Sequence, residues 1–191
     1  AIGGTSSTII FDSLSLIFSA LGNGNYFIAK HNASGNALWL KGADNAVGRG
    51  VCIDANGNYY TTGGFGINGT VFDTIGLFSY GSGDIFVAKY DSAGNLIWAK
   101  GFGGTGSEDA LSIGADTYGY IYVTGYFRSP SIAFDSVNII TNASSSEDFF
   151  IVKLDSMGNV AWAKSAGGLP DDFGVSLTTD ASGNIFASGS F

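Results

Sequence analysis

The feature that most constrains this chain is an internal repeat, written three times. The segments NYFIAKHNASGNALWLKG from Asn25, DIFVAKYDSAGNLIWAKG from Asp84 and DFFIVKLDSMGNVAWAKS from Asp148 align without a gap. Lys30, Lys89 and Lys153 correspond, as do Gly35, Gly94 and Gly158. Trp39, Trp98 and Trp162, the three tryptophans of the chain, fall 59 and 64 residues apart at one repeat position. A second block recurs between these: VCIDANGNYYTTGGF from Val51, IGADTYGYIYVTGYF from Ile113 and LTTDASGNIFASGSF from Leu177. It aligns Asp54, Asp116 and Asp180, and Gly63, Gly125 and Gly189. A Phe-Asp pair is the third mark, at Phe11-Asp12, Phe72-Asp73 and Phe134-Asp135. A unit repeated with this period cannot bury its apolar face alone and must stack on its neighbours.

Each unit predicts four strands: a, a short run before Asp116; b, YIYVTGYF; c, DFFIVKLD; and d, NVAWAK. The pentapeptides at Asp54–Asn58 and Asp91–Asn95 predict a–b and c–d hairpins. Their glycine supplies the positive φ and the leading Asp accepts hydrogen bonds from the turn backbone. The strands are apolar on both faces, with Ile85 and Val87 pointing one way and Phe86, Ala88 and Tyr90 the other. A sheet with one wet face would alternate apolar and polar residues, so these strands must be sandwiched between sheets. The fold class expected is all-β, with β-propeller blades of four antiparallel strands. A β-helix solenoid, with shorter coils, is the rival reading.

One repeat region, 1–191, is expected, with units of approximately 1–65, 66–127 and 128–191. The strand order starts with a long b–c connection, then c and d, then two full a–b–c–d sets, and ends on a and b. Two blades are thereby complete and a third is split between the termini. Three blades fall below the usual range of about 4–8. The residues are therefore read as a segment of a larger propeller. The alternative is head-to-tail copies, with a and b of one pairing with c and d of the next. In the first unit KGADNAVGRG is three residues shorter than KGFGGTGSEDALS, so that inter-blade connection is expected to differ.

Composition removes several function classes. Charged residues are 13% of the chain and aromatics 14%, which excludes disorder. The net charge of −8 argues against nucleic acid and against anionic membrane surfaces as partners. No apolar run approaches the roughly 20 residues of a membrane-spanning helix, so the chain is not expected to be membrane-embedded. Cys52, the single cysteine, excludes a disulfide scaffold.

Candidate chemistry is sparse. His31 is the one histidine and stands where the other repeats carry Tyr90 and Leu154, so it reads as a strand residue; zinc would need three or four His or Cys ligands. Cys52 reads as a small filler in strand a. The Asp-led turns fall short of the 6–8 oxygens of a calcium loop. The acidic doublets Glu108-Asp109 and Asp171-Asp172 fall in corresponding loops. They read as solvated loops or hydrogen-bonded blade joints rather than as glycosidase acids. No catalytic, metal or cofactor residue is expected, and the chain is not expected to be an enzyme. The structural positions are Trp39, Trp98, Trp162, Lys30, Lys89, Lys153, Asp54, Asp116 and Asp180. The repeat lysines, with Lys41, Lys100 and Lys164, are expected to lay their stems on apolar surface and pair with carboxylates. The tryptophans are expected to pack between blades rather than stack on sugars. The b–c connections, Gly66–Thr70, Arg128–Ile132 and Asn142–Ser146, are the least repetitive stretches and the natural place for contacts with partners. Asn32, Asn68 and Asn142 begin Asn-x-Ser/Thr triplets.

The succession DIFVAKYDSAGNLIWAKGFGG, ADTYGYIYVTGYF and IAFDS resembles the bacterial SBBP-type β-propeller repeat, over nearly the whole chain and least over residues 1–24. The strand logic is also similar to the NHL repeat, without that family's Arg-rich part. The SBBP resemblance implies a propeller in a secreted or cell-surface bacterial protein, many of which are modular cargo of type IX-like secretion, with no shared catalytic chemistry. The expected function is a non-catalytic structural or interaction module, extracellular, that presents loops for adhesion or assembly. A carbohydrate-binding propeller, or the scaffold of an enzyme whose active site lies outside the segment, is the alternative. Its partners would be further blades of the same chain, head-to-tail copies, other surface proteins or glycans.

Overall fold

Apolar, β-branched and aromatic runs separated by Asp-led glycine turns favour hairpins over helices, and among the described residues every regular element is a strand. The structure, a computed structural model, describes residues 7–19, 24–136, 139–141 and 146–191. In chain order the strands are β1 (Ser7–Phe11), β2 (Leu14–Phe18), β3 (Asn25–His31), β4 (Ala37–Asp44), β5 (Ala46–Ile53), β6 (Tyr59–Gly66), β7 (Thr70–Phe72), β8 (Ile75–Leu77) and β9 (Gly83–Tyr90). There follow β10 (Leu96–Phe102), β11 (Glu108–Ala115), β12 (Ile121–Phe127), β13 (Ser131–Ala133), β14 (Ile139–Thr141), β15 (Asp148–Leu154), β16 (Val160–Ala166), β17 (Phe173–Thr179) and β18 (Ile185–Ser190).

Two antiparallel four-stranded sheets form the centre, ordered β10-β9-β6-β5 and β11-β12-β15-β16. Two half-sheets flank them, the pair β3–β4 before and the pair β17–β18 after. Each half-sheet stacks on its sequence neighbour: β3 lies against β5, β5 against β11, and β11 against β17. The sheets run out of step with the sequence repeat, since each takes its first two strands from one unit and its last two from the next.

The expectation of four strands per unit needs correction. The b–c connections fold as further hairpins, β1–β2, β7–β8 and β13–β14, so among the described residues each unit carries six strands. The Phe-Asp mark explains why. Phe72 and Phe134 are buried, anchoring their hairpins to the core. Asp12 and Asp73 turn the first two hairpins with φ of 52° and 49°, a left-handed conformation that Asp tolerates better than most residues. The short first connection also differs as expected. Asn45 alone joins β4 to β5, with φ of 55°, its side-chain amide donating to the Gly69 carbonyl at 2.8 Å.

The sandwiching expected of two-faced strands is present. Ile85 and Val87 of β9 enter one apolar cluster with Tyr60, Val123 and Val152. Phe86, Ala88 and Tyr90 enter another with Tyr26, Phe65 and Phe72. Every a–b pair carries a β-bulge, between Gly48 and Gly50, Ala110 and Ser112, and Gly174 and Ser176. Opposite each bulge stands a repeat glycine, Gly63, Gly125 or Gly189. A Cβ there would run into the carbonyl of Val47, Asp109 or Phe173.

Candidate functional site

The residues that recur in every repeat converge on the seam between neighbouring units. In the c–d turn of the first full sheet, Asp91 Oδ1 accepts from the backbone N–H groups of Ala93 and Asn95, both at 2.9 Å, and Oδ2 accepts from the Asn95 amide at 2.8 Å. These donors hold the Asp91 carboxyl below its ordinary pKa, the Asn95 side chain most of all. The turn places Gly94 at φ +85°. The Trp39 ring of the preceding unit lies on that glycine, so that a Cβ there would sit 2.8 Å from Trp39 Cδ2. Lys30 reaches over the Tyr59 ring, 5.1 Å from its centroid, and donates to the Ser92 carbonyl at 3.2 Å.

The next seam repeats the ring-on-glycine and lysine-to-carbonyl contacts. Trp98 lies against Gly158, with a Cβ there 3.1 Å from Trp98 Cζ2. Trp98 Nε1 donates to the Ser156 carbonyl at 3.2 Å and Lys89 Nζ to the same oxygen at 2.9 Å. Lys100 donates to the Gly158 carbonyl at 2.6 Å. The lysines thus meet carbonyls of the adjoining turn rather than the expected carboxylates. The turn Asp is already occupied by its own backbone and Asn donors. Lys41 does meet a carboxylate, Asp73, at 4.0 Å. Lys153 lies 3.7 Å over the Tyr120 ring and 5.3 Å over Tyr122, close enough for cation–π attraction. Trp39, Trp98 and Trp162 are half-buried, each beside a tyrosine: Tyr59, Tyr60 and Tyr122.

The aspartates of the a–b turns do the same work more deeply. Asp54 and Asp116 are buried. Each accepts two turn N–H bonds on Oδ1, and on Oδ2 the hydroxyl of Tyr60 at 3.1 Å or Tyr122 at 2.8 Å. Burial alone would raise the Asp54 pKa, but the Asn58, Tyr60 and Asn56 donors outweigh it and hold the carboxyl low. Asp180, half-buried, makes the same turn bonds, with Phe186 at the tyrosine position. The tyrosine partners were not singled out in the sequence; their signal is a Tyr six residues after the turn Asp in two of three repeats.

Other acids are structural too. Asp109 and Glu108 lie in β11, whereas Asp171 and Asp172 precede β17, so the doublets do not correspond one to one. Glu108 corresponds to Asp172, and both accept a glycine N–H, from Gly104 at 3.0 Å and Gly168 at 2.9 Å. Glu108 also accepts from the Ser129 hydroxyl. Asp109 pairs with Arg49 at 2.9 Å across the seam. Asp84 is fully buried. One of its oxygens accepts from the Tyr80 N–H at 2.5 Å and the other has no hydrogen-bond partner. Burial first, and the charge of Glu108 after it, push the Asp84 pKa up to about 6. Cys52 is half-buried in β5, and burial, with Asp54 beside it, pushes its thiol up to about 12. His31 is exposed, edge-on to Phe11 at 5.3 Å. Among the described residues no group of three or more His, Cys, Asp or Glu is placed to hold a metal ion. Residues 142–145, with the Asn142 triplet, lie outside the described residues.

Among the described residues β3 and β18, unlike their repeat equivalents, pair with one strand only. β6 and β12 are almost wholly buried, whereas β18, their repeat equivalent, is exposed along nearly its length. A groove of about 440 Å³ lies between β3 and β5, lined by Tyr26, Ile28, Gly48, Arg49 and Val51, with Phe11 at its side.

No family model matches the chain. It is 32% identical over 126 residues to an uncharacterized WD repeat-containing protein of Acanthamoeba polyphaga mimivirus, covering 59% of this chain and 9% of that protein. It is 30% identical over 110 residues to the regulatory protein FlaEY of Caulobacter vibrioides, covering 57% of this chain and 12% of that protein. The chain thus spans about a tenth of the length of these relatives. With the repeated antiparallel sheets, the likeness to a WD-repeat protein marks the chain as a β-rich repeat protein.

Proposed function

We propose that the chain is a non-catalytic structural and interaction module: a run of β-propeller blades of the SBBP type, from a secreted or cell-surface bacterial protein, that presents hairpins for adhesion or assembly. The observation that supports this reading is the use made of the repeated residues. Lys, Trp, Asp and Gly at the constant positions are engaged in turns and seams, and the turn carboxylates, Glu108 and Asp109 are held by backbone donors, Ser129 or Arg49. What varies between units is the outer hairpins, which carry exposed side chains such as Ile67, Val71 and Phe78. A rigid stack with variable surface hairpins suits recognition rather than turnover.

The test is to screen the purified chain against chromogenic glycoside, ester, phosphate and peptide substrates and, in parallel, on a glycan array. No turnover and no glycan signal is the expected result. Turnover that survives repurification and is lost in a point variant would overturn the non-catalytic reading. Glycan binding lost in Phe78→Ala or Tyr80→Ala, whose rings are the exposed aromatics beside β9, would favour the carbohydrate-binding alternative.

A further inference from the structure

We infer that the seam between the two complete sheets holds a pocket for a primary alkylammonium group, the head of a lysine side chain on a partner protein. The inference deepens the interaction reading above and rests on it. A cavity of about 150 Å³ lies where β5 and β6 meet β11 and β12, lined by Arg49, Gly64, Gly66, Glu108, Asp109 and Tyr126 among others. Ordinary small-molecule pockets run to about 300–1,000 Å³. This one therefore suits a single side chain or a small amine rather than a larger ligand.

The following seam is a control built into the same chain. There the repeat puts Tyr126 at the position of Gly64, Phe173 at that of Asp109 and Leu111 at that of Arg49. The Tyr126 and Phe173 rings meet edge-on, with centroids 5.2 Å apart. In the first seam the corresponding contact is a bare glycine against a carboxylate: a Cβ on Gly64 would stand 2.9 Å from Asp109 Oδ1. Gly66 likewise stands where the next unit has Arg128. Large side chains are thus withdrawn from one wall, and a charged pair replaces apolar residues across from it. A seam that served packing alone would gain from the rings, which add buried area and ring contact. The departure from the repeat gives up that packing and leaves space beside a charge.

Charge selects the guest. Arg49 donates to Asp109 Oδ2 from Nε at 3.0 Å, with Nη2 at 2.9 Å from the same oxygen. Asp109 Oδ1 is buried and has no hydrogen-bond partner, a costly state for a carboxylate oxygen. Burial raises the Asp109 pKa in spite of Arg49 beside it. Glu108 adds a second carboxyl to the lining, so among the described residues two acids face the cavity against one base. An ammonium brings a compact positive charge and several donors on a flexible aliphatic stem. It supplies the donor that Asp109 lacks, and the bare backbones of Gly64 and Gly66 leave room for the stem. An anion would meet two carboxyl groups, and an uncharged apolar chain end would leave Oδ1 unsatisfied.

The test titrates the 191-residue chain with lysine capped as N-acetyl-lysine methylamide and follows the backbone amides by two-dimensional NMR. The amides of Gly64, Gly66 and Asp109 should shift and saturate, and should stay in place with butyrate or with the same compound acetylated on its side-chain amine. Asp109→Asn should weaken binding roughly 10–100-fold, the worth of a hydrogen bond to a charged group. The triple variant Arg49→Leu/Gly64→Tyr/Asp109→Phe carries the residues of the following seam and should fold without binding. No saturable shift, equal shifts with butyrate or the acetylated compound, or shifts that persist in the triple variant would each overturn the inference and leave Arg49 and Asp109 as an ion pair only. Saturation by butylamine but not by the capped lysine would overturn the assignment to a lysine side chain. Failure here is distinguishable from failure of the functional reading: an inactive chain that binds no amine sinks only the pocket, and amine binding alongside enzymatic turnover sinks only the module.

Discussion

The seam makes a quantitative prediction about two glycines in chemically matched turns. Gly57 and Gly94 each sit at the fourth position of an Asp-led hairpin, with φ of +80° and +85°. Each donates its N–H to the leading Asp carbonyl at 3.0 Å. They differ in what lies above them. A Cβ on Gly57 meets nothing within 4 Å, whereas one on Gly94 meets Trp39 Cδ2 at 2.8 Å and Cγ at 3.0 Å, the body of a ring and not a flexible tip. Both alanine substitutions incur the left-handed penalty of about 1–2 kcal/mol. Gly94→Ala adds overpacking of about 1–3 kcal/mol, since the indole must move away from the turn. With a urea m value of about 2 kcal/mol/M, the midpoint of Gly94→Ala should lie about 0.5–1.5 M below that of Gly57→Ala. A cycle with Trp39→Ala checks the cause, because the excess should vanish when the ring is gone. Equal midpoints for the two glycine variants, or an excess that survives Trp39→Ala, would refute the reasoning that Trp39 is pinned on this turn.

Asp116→Ala should cost about 2–4 kcal/mol, because it strips a buried turn and leaves the Tyr122 hydroxyl unpaired, while Asp180→Ala, less buried and without a tyrosine, should cost below about 1 kcal/mol; thermal unfolding compares them. Asp84 keeps its proton up to about 6 in the folded chain against 3.8 for the ordinary group. The folded state therefore binds more protons across that window, and this group's contribution to stability falls as pH rises from about 4 to about 6. The turn carboxylates Asp54, Asp91, Asp155 and Asp180, held low, act in the opposite sense and lose their contribution only below the ordinary carboxylate pKa. Asp84→Asn should flatten the pH 4–6 slope and raise the neutral-pH urea midpoint; an unchanged slope would show that Asp84 is not the titrating group. Cys52, its thiol pushed up to about 12, should react with iodoacetamide at pH 8 roughly a hundredfold more slowly when folded than in urea. Folded-state labelling at the unfolded rate would contradict the burial seen for it.

What could be read from the residues in order was whatever is decided within a hairpin. The Asp-led pentapeptides carry their own donors, acceptor and glycine, so Asp54–Asn58 and Asp91–Asn95 are legible without any partner. The two apolar faces of β9 are equally legible, because a strand's side chains alternate whatever lies opposite. The outer hairpins were missed for the converse reason. Their strands are three residues long in β7 and β8, too short to show a period, and Phe72 reads as an anchor only once the cluster it enters is known.

The period and the strands and turns of each unit are legible in the residues alone, since they follow from contacts a few residues apart, and strands apolar on both faces require the units to stack. Where the repeated side chains go depends on the packing of one sheet against the next. Lys30 finds its carbonyl 62 residues away, Lys89 67 and Trp98 58, each about one repeat along the chain. Asp109 finds Arg49 60 residues back, and β3 and β18 find no strand on their outer edges among the described residues. A contact one period away joins two copies of the same pattern. The pattern announces that the copies touch, but the carbonyl, glycine or carboxylate that receives each side chain is chosen by how one sheet is set against the next.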